Sequence, residues 1–138
     1  MNYARIALAC LGAIVAYFAC GFILFAALPG MKSEFLKYPN VYRSNDAMMK
    51  VMPYNMVGIL ISIVILVVLY AKMYPAGGGV VSGVDFGALM GIFAVCTYVI
   101  HNYAMLNVGL KLTLYDGASY LIQWVIVGAT IGLIYKPC

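Results

Sequence analysis

Four long apolar runs separated by polar stretches set the pattern of this chain. They cover residues 4–28, 56–74, 85–106 and 115–135, and one extended polar stretch lies at 31–55. The first run is apolar except for Arg5, and roughly twenty residues are enough to cross ~30 Å of hydrocarbon as a helix. It exceeds the apolar core of a signal peptide, which predicts a retained helix that Pro29-Gly30 ends. The second run is Ile, Val and Leu nearly all round, with Ser62 as its one polar interruption, so it has no face to offer a site. Tyr54, Tyr70 and Tyr74 bracket it as interfacial anchors, and Lys72 can extend outward.

The third and fourth runs carry the polar side chains. In the third, Asp85 is expected in the first turn, where a carboxylate suits the helix dipole. At 100° per residue, Gly87, Gly91, Ala94, Tyr98, His101, Asn102 and Met105 fall on one stripe. In the fourth, Asp116, Ser119, Tyr120 and Gln123 share a face, and Gly128 and Gly132 lie on another. Gly12, Ala16 and Cys20 in the first run, Gly87 with Gly91, and Gly128 with Gly132 are small-residue pairs at four-residue spacing, which permits close helix contact. Such faces predict association into a homo-oligomer or with other membrane subunits.

Within 31–55, Lys32, Glu34 and Lys37 are expected in water, and Tyr38-Pro39-Asn40 reads as a turn. Ser44, Asn45 or Asp46 is placed to cap a short helix that stops before Pro53 and lies along the headgroups. The stretch 75–83, PAGGGVVSG, reads as a turn; it lacks the lysine and hydroxyl of a phosphate-binding loop. Residues 107–114 are a short connection with Lys111 facing water.

Composition sharpens the class. With 66% hydrophobic and 9% charged residues and a mean hydropathy of +1.02, a soluble core of this size cannot hide the apolar surface. The expectation is an all-α integral membrane protein: one domain, multi-pass, a four-helix antiparallel transmembrane bundle with the lipid bilayer as its first partner. The net charge of +4 is not a nucleic-acid footprint, because Lys32, Lys37, Arg43 and Lys50 share one loop and the rest flank apolar runs. The loops 31–55 and 107–114 carry the greater share of Lys and Arg, which favours a cytoplasmic position for both. Cys10, Cys20, Cys96 and Cys138 show no metal-ligand or redox spacing.

A short connection makes the third and fourth runs a hairpin, which brings Tyr98, His101 and Asn102 level with Asp116, Ser119, Tyr120 and Gln123. Polar groups in hydrocarbon are costly unless paired. An Asp116–His101 pair is the sharpest arrangement, fit to relay protons or hold a substrate; the plainer one is that Asn102 and Gln123 join the helices. No nucleophile elbow, zinc-protease motif or paired acidic motif is present, so no enzyme activity, metal or cofactor is expected. The leading expectation is a non-catalytic subunit with a structural or assembly role. One alternative is a small-solute or ion transporter or channel using the polar hairpin. Another is a haem- or chlorophyll-binding subunit of an electron-transfer complex, with His101 as axial ligand.

His101-Asn102-Tyr103, Gly109-Leu110-Lys111-Leu112 and Asp116-Gly117, all in the last third of the chain, resemble the pattern of small four-helix bacterial membrane proteins of unknown function. The resemblance implies a four-helix bundle in a bacterial inner membrane and brings no activity with it.

Overall fold

The computed structural model describes residues 2–136. Among them there are helices and connections and no strand. Helix α1, Tyr3–Ala27, is capped by Asn2, whose side-chain oxygen accepts from the Arg5 N–H at 3.2 Å. Pro29 then opens a second, short helix, α2, Pro29–Phe35. The Pro-Gly pair expected as a stop is therefore also a start. Proline suits the first helical position because its missing N–H is not needed there and its φ is already helical.

Helix α3 runs unbroken over Asn45–Met73. The expected separation of a short capped helix from the second apolar run does not occur: Ser44 Oγ accepts from the Ala47 N–H at 3.4 Å, and the helix continues through Pro53. Proline removes one donor from the ladder, at a point where Pro53 and its neighbours Tyr54 and Asn55 are exposed. The third run begins earlier than expected. Helix α4 covers Gly79–Ala94, a π-helical turn covers Val95–Val99, and helix α5 covers Ile100–Met105. Asp85 thus lies well inside α4, exposed, rather than in its first turn. Helix α6, Leu110–Ile134, likewise takes in the expected connection, so Lys111 sits in its first turn.

Four stretches are long and apolar enough to cross a membrane: Tyr3–Ala27, Asn45–Met73, Gly79–Met105 and Leu110–Ile134. Helix α6 is central to the packing. One face meets α4, where glycine lies on glycine: Gly83 opposes Gly128 and Gly132, Gly87 opposes Trp124 to Gly128, and Gly91 opposes Leu121. Residue numbers rise on one helix as they fall on the other. The glycine pairs of α4 and α6 thus meet each other within the chain. Another face of α6 meets α1, where Gly12 lies against Thr130 and Ile134; Cys20 is buried and Ala16 half-buried. Helix α3 packs on α1, and Ile63, Val67 and Tyr70 join Ile6, Ala9 and Ala13 in the core. That core closes on an aromatic group in which Tyr70 touches Phe86 and Tyr135 edge-on, at 5.4 and 6.1 Å between ring centroids.

Candidate functional site

The polar face of α6 turns toward α1 and α2. Gln123 Nε2 donates to the Tyr17 carbonyl oxygen at 2.8 Å. Gly21, one turn further along α1, makes room for it: a Cβ there would lie 2.7 Å from that same nitrogen. One turn back on α6, the buried Ser119 Oγ donates to Met31 Sδ of α2 at 3.7 Å. Gly30 lies beneath the Tyr115 ring, which brings α2 close to α6. Between these contacts is a cavity of about 140 Å³, lined by Tyr17, Leu24, Phe25 and Met31 on one side and Asp116, Ser119, Tyr120 and Gln123 on the other.

Asp116 is the charged group of this cavity. Among the described residues no hydrogen bond or ion pair reaches its carboxylate. Lys37 and Lys111 both bind the buried Glu34, at 2.6 and 3.1 Å. Glu34 was expected in water; its position in α2, facing the start of α6, buries it. Hydrogen bonds from Lys37 and then Lys111 hold its carboxyl below the usual range, and the bond to Glu34 holds the Lys37 ammonium above its own. A second tie closes the same corner: the Gly109 N–H donates to the Tyr38 hydroxyl at 2.9 Å. Tyr42, on the same loop, has its phenol pushed up, first by burial and then by the Asp116 charge, which places it within electrostatic reach of the cavity.

The expected cluster is divided. Asp116, Ser119, Tyr120 and Gln123 share the cavity, and Tyr98 remains beside them, its ring 5.3 Å from that of Tyr120. His101 is exposed and Asn102 half-buried, and neither lines the cavity. Among the described residues the ion pairs are those of Glu34, and Asp116–His101 is not one of them. The π-helical turn accounts for the division. It places one extra residue in the turn, which rotates everything after Val99 by roughly 100° relative to the glycine stripe. Thr97 Oγ1, donating to the Phe93 carbonyl at 2.7 Å, sits in that turn.

Tyr17, Gly21, Phe25, Met31 and Glu34 are the contributors that the pattern of the chain did not single out. The signal present in α1 was a tyrosine and a glycine four residues apart, Tyr17 and Gly21. On the far side of Tyr17 lies Trp124, at 5.3 Å between ring centroids. Its Nε1 is buried and has no hydrogen-bond partner among the described residues. Trp124 and Tyr98 also border an apolar groove of about 290 Å³ between α3 and α4, so this aromatic wall separates a polar cavity from an oily one. Among the described residues no group of His, Cys, Asp and Glu is arranged to hold a metal. Cys10, Cys20 and Cys96 are free thiols, and Cys138 lies outside the described residues.

Comparison of the chain with protein-family models, with curated proteins and with solved structures finds no match. The class that fold and site define is therefore a structural one: an all-helical protein with four helices of membrane-spanning length and a carboxylate-bearing cavity between α1, α2 and α6.

Proposed function

We propose that this chain is a multi-pass integral membrane protein whose four long helices cross the bilayer in alternating directions. Segment 28–44 and connection 106–109 lie at one surface, and connection 74–78 lies at the other. Its role is non-catalytic: it binds, and carries or senses, a small polar solute in the cavity beside Asp116. The observation that carries this reading is the Asp116 carboxylate, set in a helix long and apolar enough to cross a membrane and facing a cavity, with no ion-pair partner among the described residues. Ionisable side chains within membrane spans are costly, and they mark solute or ion sites when they face a cavity. Support for the bilayer itself is the mean hydropathy of the four spans, 2.4, 2.5, 1.8 and 1.6 in chain order, with a third or less of each buried inside the protein. Large side chains such as Phe22, Ile65, Leu89 and Leu133 point outward, as lipid contact requires.

Two measurements test this. Alkaline extraction of membranes should leave the protein in the pellet, and its release would refute insertion. Thermal unfolding in lipid nanodiscs should rise with at least one class of small solute from a panel of amines, amino acids, alcohols and carboxylic acids, and should not rise in Asp116→Asn. A panel without effect would refute the solute site. It would leave the second reading, a structural subunit of a larger assembly. That reading is favoured by the first half of α3, where Tyr54, Met56, Val57 and Ile61 stand exposed on several sides of one helix.

A further inference from the structure

The polar groups around the cavity are unequal in kind. Gln123 spends one amide N–H on the Tyr17 carbonyl, which leaves its oxygen to accept and one N–H to donate. Ser119 spends its hydroxyl proton on Met31 sulfur. Asp116 accepts only, when ionised. With Asp116 ionised, the one full charge among the lining residues is negative, which suits a donor carrying positive charge. Tyr17, Phe25 and Tyr120 also line the cavity, beside Leu24 and Met31, and aromatic rings attract cations through their quadrupole. No cation of the protein fills that role: among the described residues no ion pair reaches Asp116.

Resting on the solute-site reading above, we infer that the cavity recognises an organic ammonium group, with Asp116 as its counter-charge and Tyr17, Phe25 and Tyr120 as its aromatic walls. An inorganic cation would use the carboxylate but gain little from three rings. An ammonium with attached carbons uses both. The ammonium has two possible sources, a free amine or the headgroup of an aminophospholipid, and both present the same chemistry to Asp116.

Trp124 is the one tryptophan in the chain and touches Tyr17, so its emission reports on the cavity. The experiment titrates the full-length protein in phosphatidylglycerol nanodiscs with ethylammonium, tetramethylammonium, sodium, 1-propanol and acetate. Trp124 emission is read throughout, with calorimetry as a second readout. A further arm replaces part of the phosphatidylglycerol with phosphatidylethanolamine.

Saturation by either ammonium is expected, with sodium, propanol and acetate ineffective. Asp116→Asn should weaken it at least about tenfold, and Phe25→Leu, at a half-exposed ring, about threefold. If the lipid is the source, phosphatidylethanolamine itself shifts the emission and competes with ethylammonium; if a free amine is, it does neither. Saturation by sodium alone, by propanol or by acetate would overturn the ammonium assignment while leaving a solute site in place. Equal ammonium binding by Asp116→Asn would overturn it too. Silence of every probe by both readouts would overturn the assignment and the solute site together.

Discussion

Alanine at Gly128 and alanine at Gly58 should have opposite effects, and the difference measures how tightly α4 and α6 are joined. At Gly128 a Cβ would meet the Gly83 carbonyl oxygen and lie 2.6 Å from Gly87 Cα and 2.7 Å from Gly87 N. These are backbone atoms, which cannot rotate away as a side chain would. At Gly58 a Cβ would meet nothing within 4 Å. Both substitutions gain the same helix propensity, about 0.8–1 kcal/mol. Gly128→Ala also incurs overpacking, about 1–3 kcal/mol, with the upper end expected for a backbone-to-backbone contact. The two variants should then differ by about 3 kcal/mol, a roughly hundredfold difference in unfolding constant. Reversible unfolding of both in one detergent, followed by Trp124 emission, reads this directly. If Gly128→Ala unfolds at the same point as Gly58→Ala, the helices are not in glycine contact and the packing described above is wrong.

Three further outcomes follow from named contacts. The Glu34 carboxyl is held below its ordinary 4.5, so the stability it contributes is present above that value and is lost as pH falls through its lowered folded-state value. Acid melting should therefore show a transition in the wild type that Glu34→Gln lacks, and an identical acid limb in both would refute the clasp. Tyr70→Phe removes the bond from the buried Tyr70 hydroxyl to the Gly79 carbonyl, 3.2 Å long, and should cost about 1 kcal/mol in the same unfolding assay. His101→Ala should change stability by less than about 0.5 kcal/mol, because the side chain is exposed, and should leave solute binding unaltered. Loss of binding in that variant would return His101 to the site.

The four helices were legible because lipid-compatible helices advertise themselves by length and by lack of charge, and neither signal needs tertiary information. The glycine faces were legible in part. Gly87, Gly91, Gly128 and Gly132 were read as contact residues, but Gly83 was not, because the third helix was started at Asp85 when glycines recur every fourth residue from Gly79. Which partner those faces choose is a tertiary fact, and spacing along one helix does not contain it. The polar cluster was read with a constant 100° step. The π-helical turn at Val95–Val99 breaks that step, so His101 and Asn102 were projected onto a face they do not share. Glu34 looked like an ordinary loop carboxylate. Its burial depends on α2 forming after Pro29 and meeting Lys111, a residue far along the chain.

On the proposed reading, the polar face of α6 lines a solute-accessible, cation-selective cavity. The test places a single thiol at Ser119→Cys in a background with Cys10, Cys20, Cys96 and Cys138 replaced by alanine. Its modification rate in nanodiscs is then compared for a small cationic and a small anionic methanethiosulfonate. The account predicts modification by the cationic reagent at least about tenfold faster, with the preference lost when Asp116→Asn is added. A thiol inert to both reagents, or one modified at equal rates whatever occupies position 116, would contradict it.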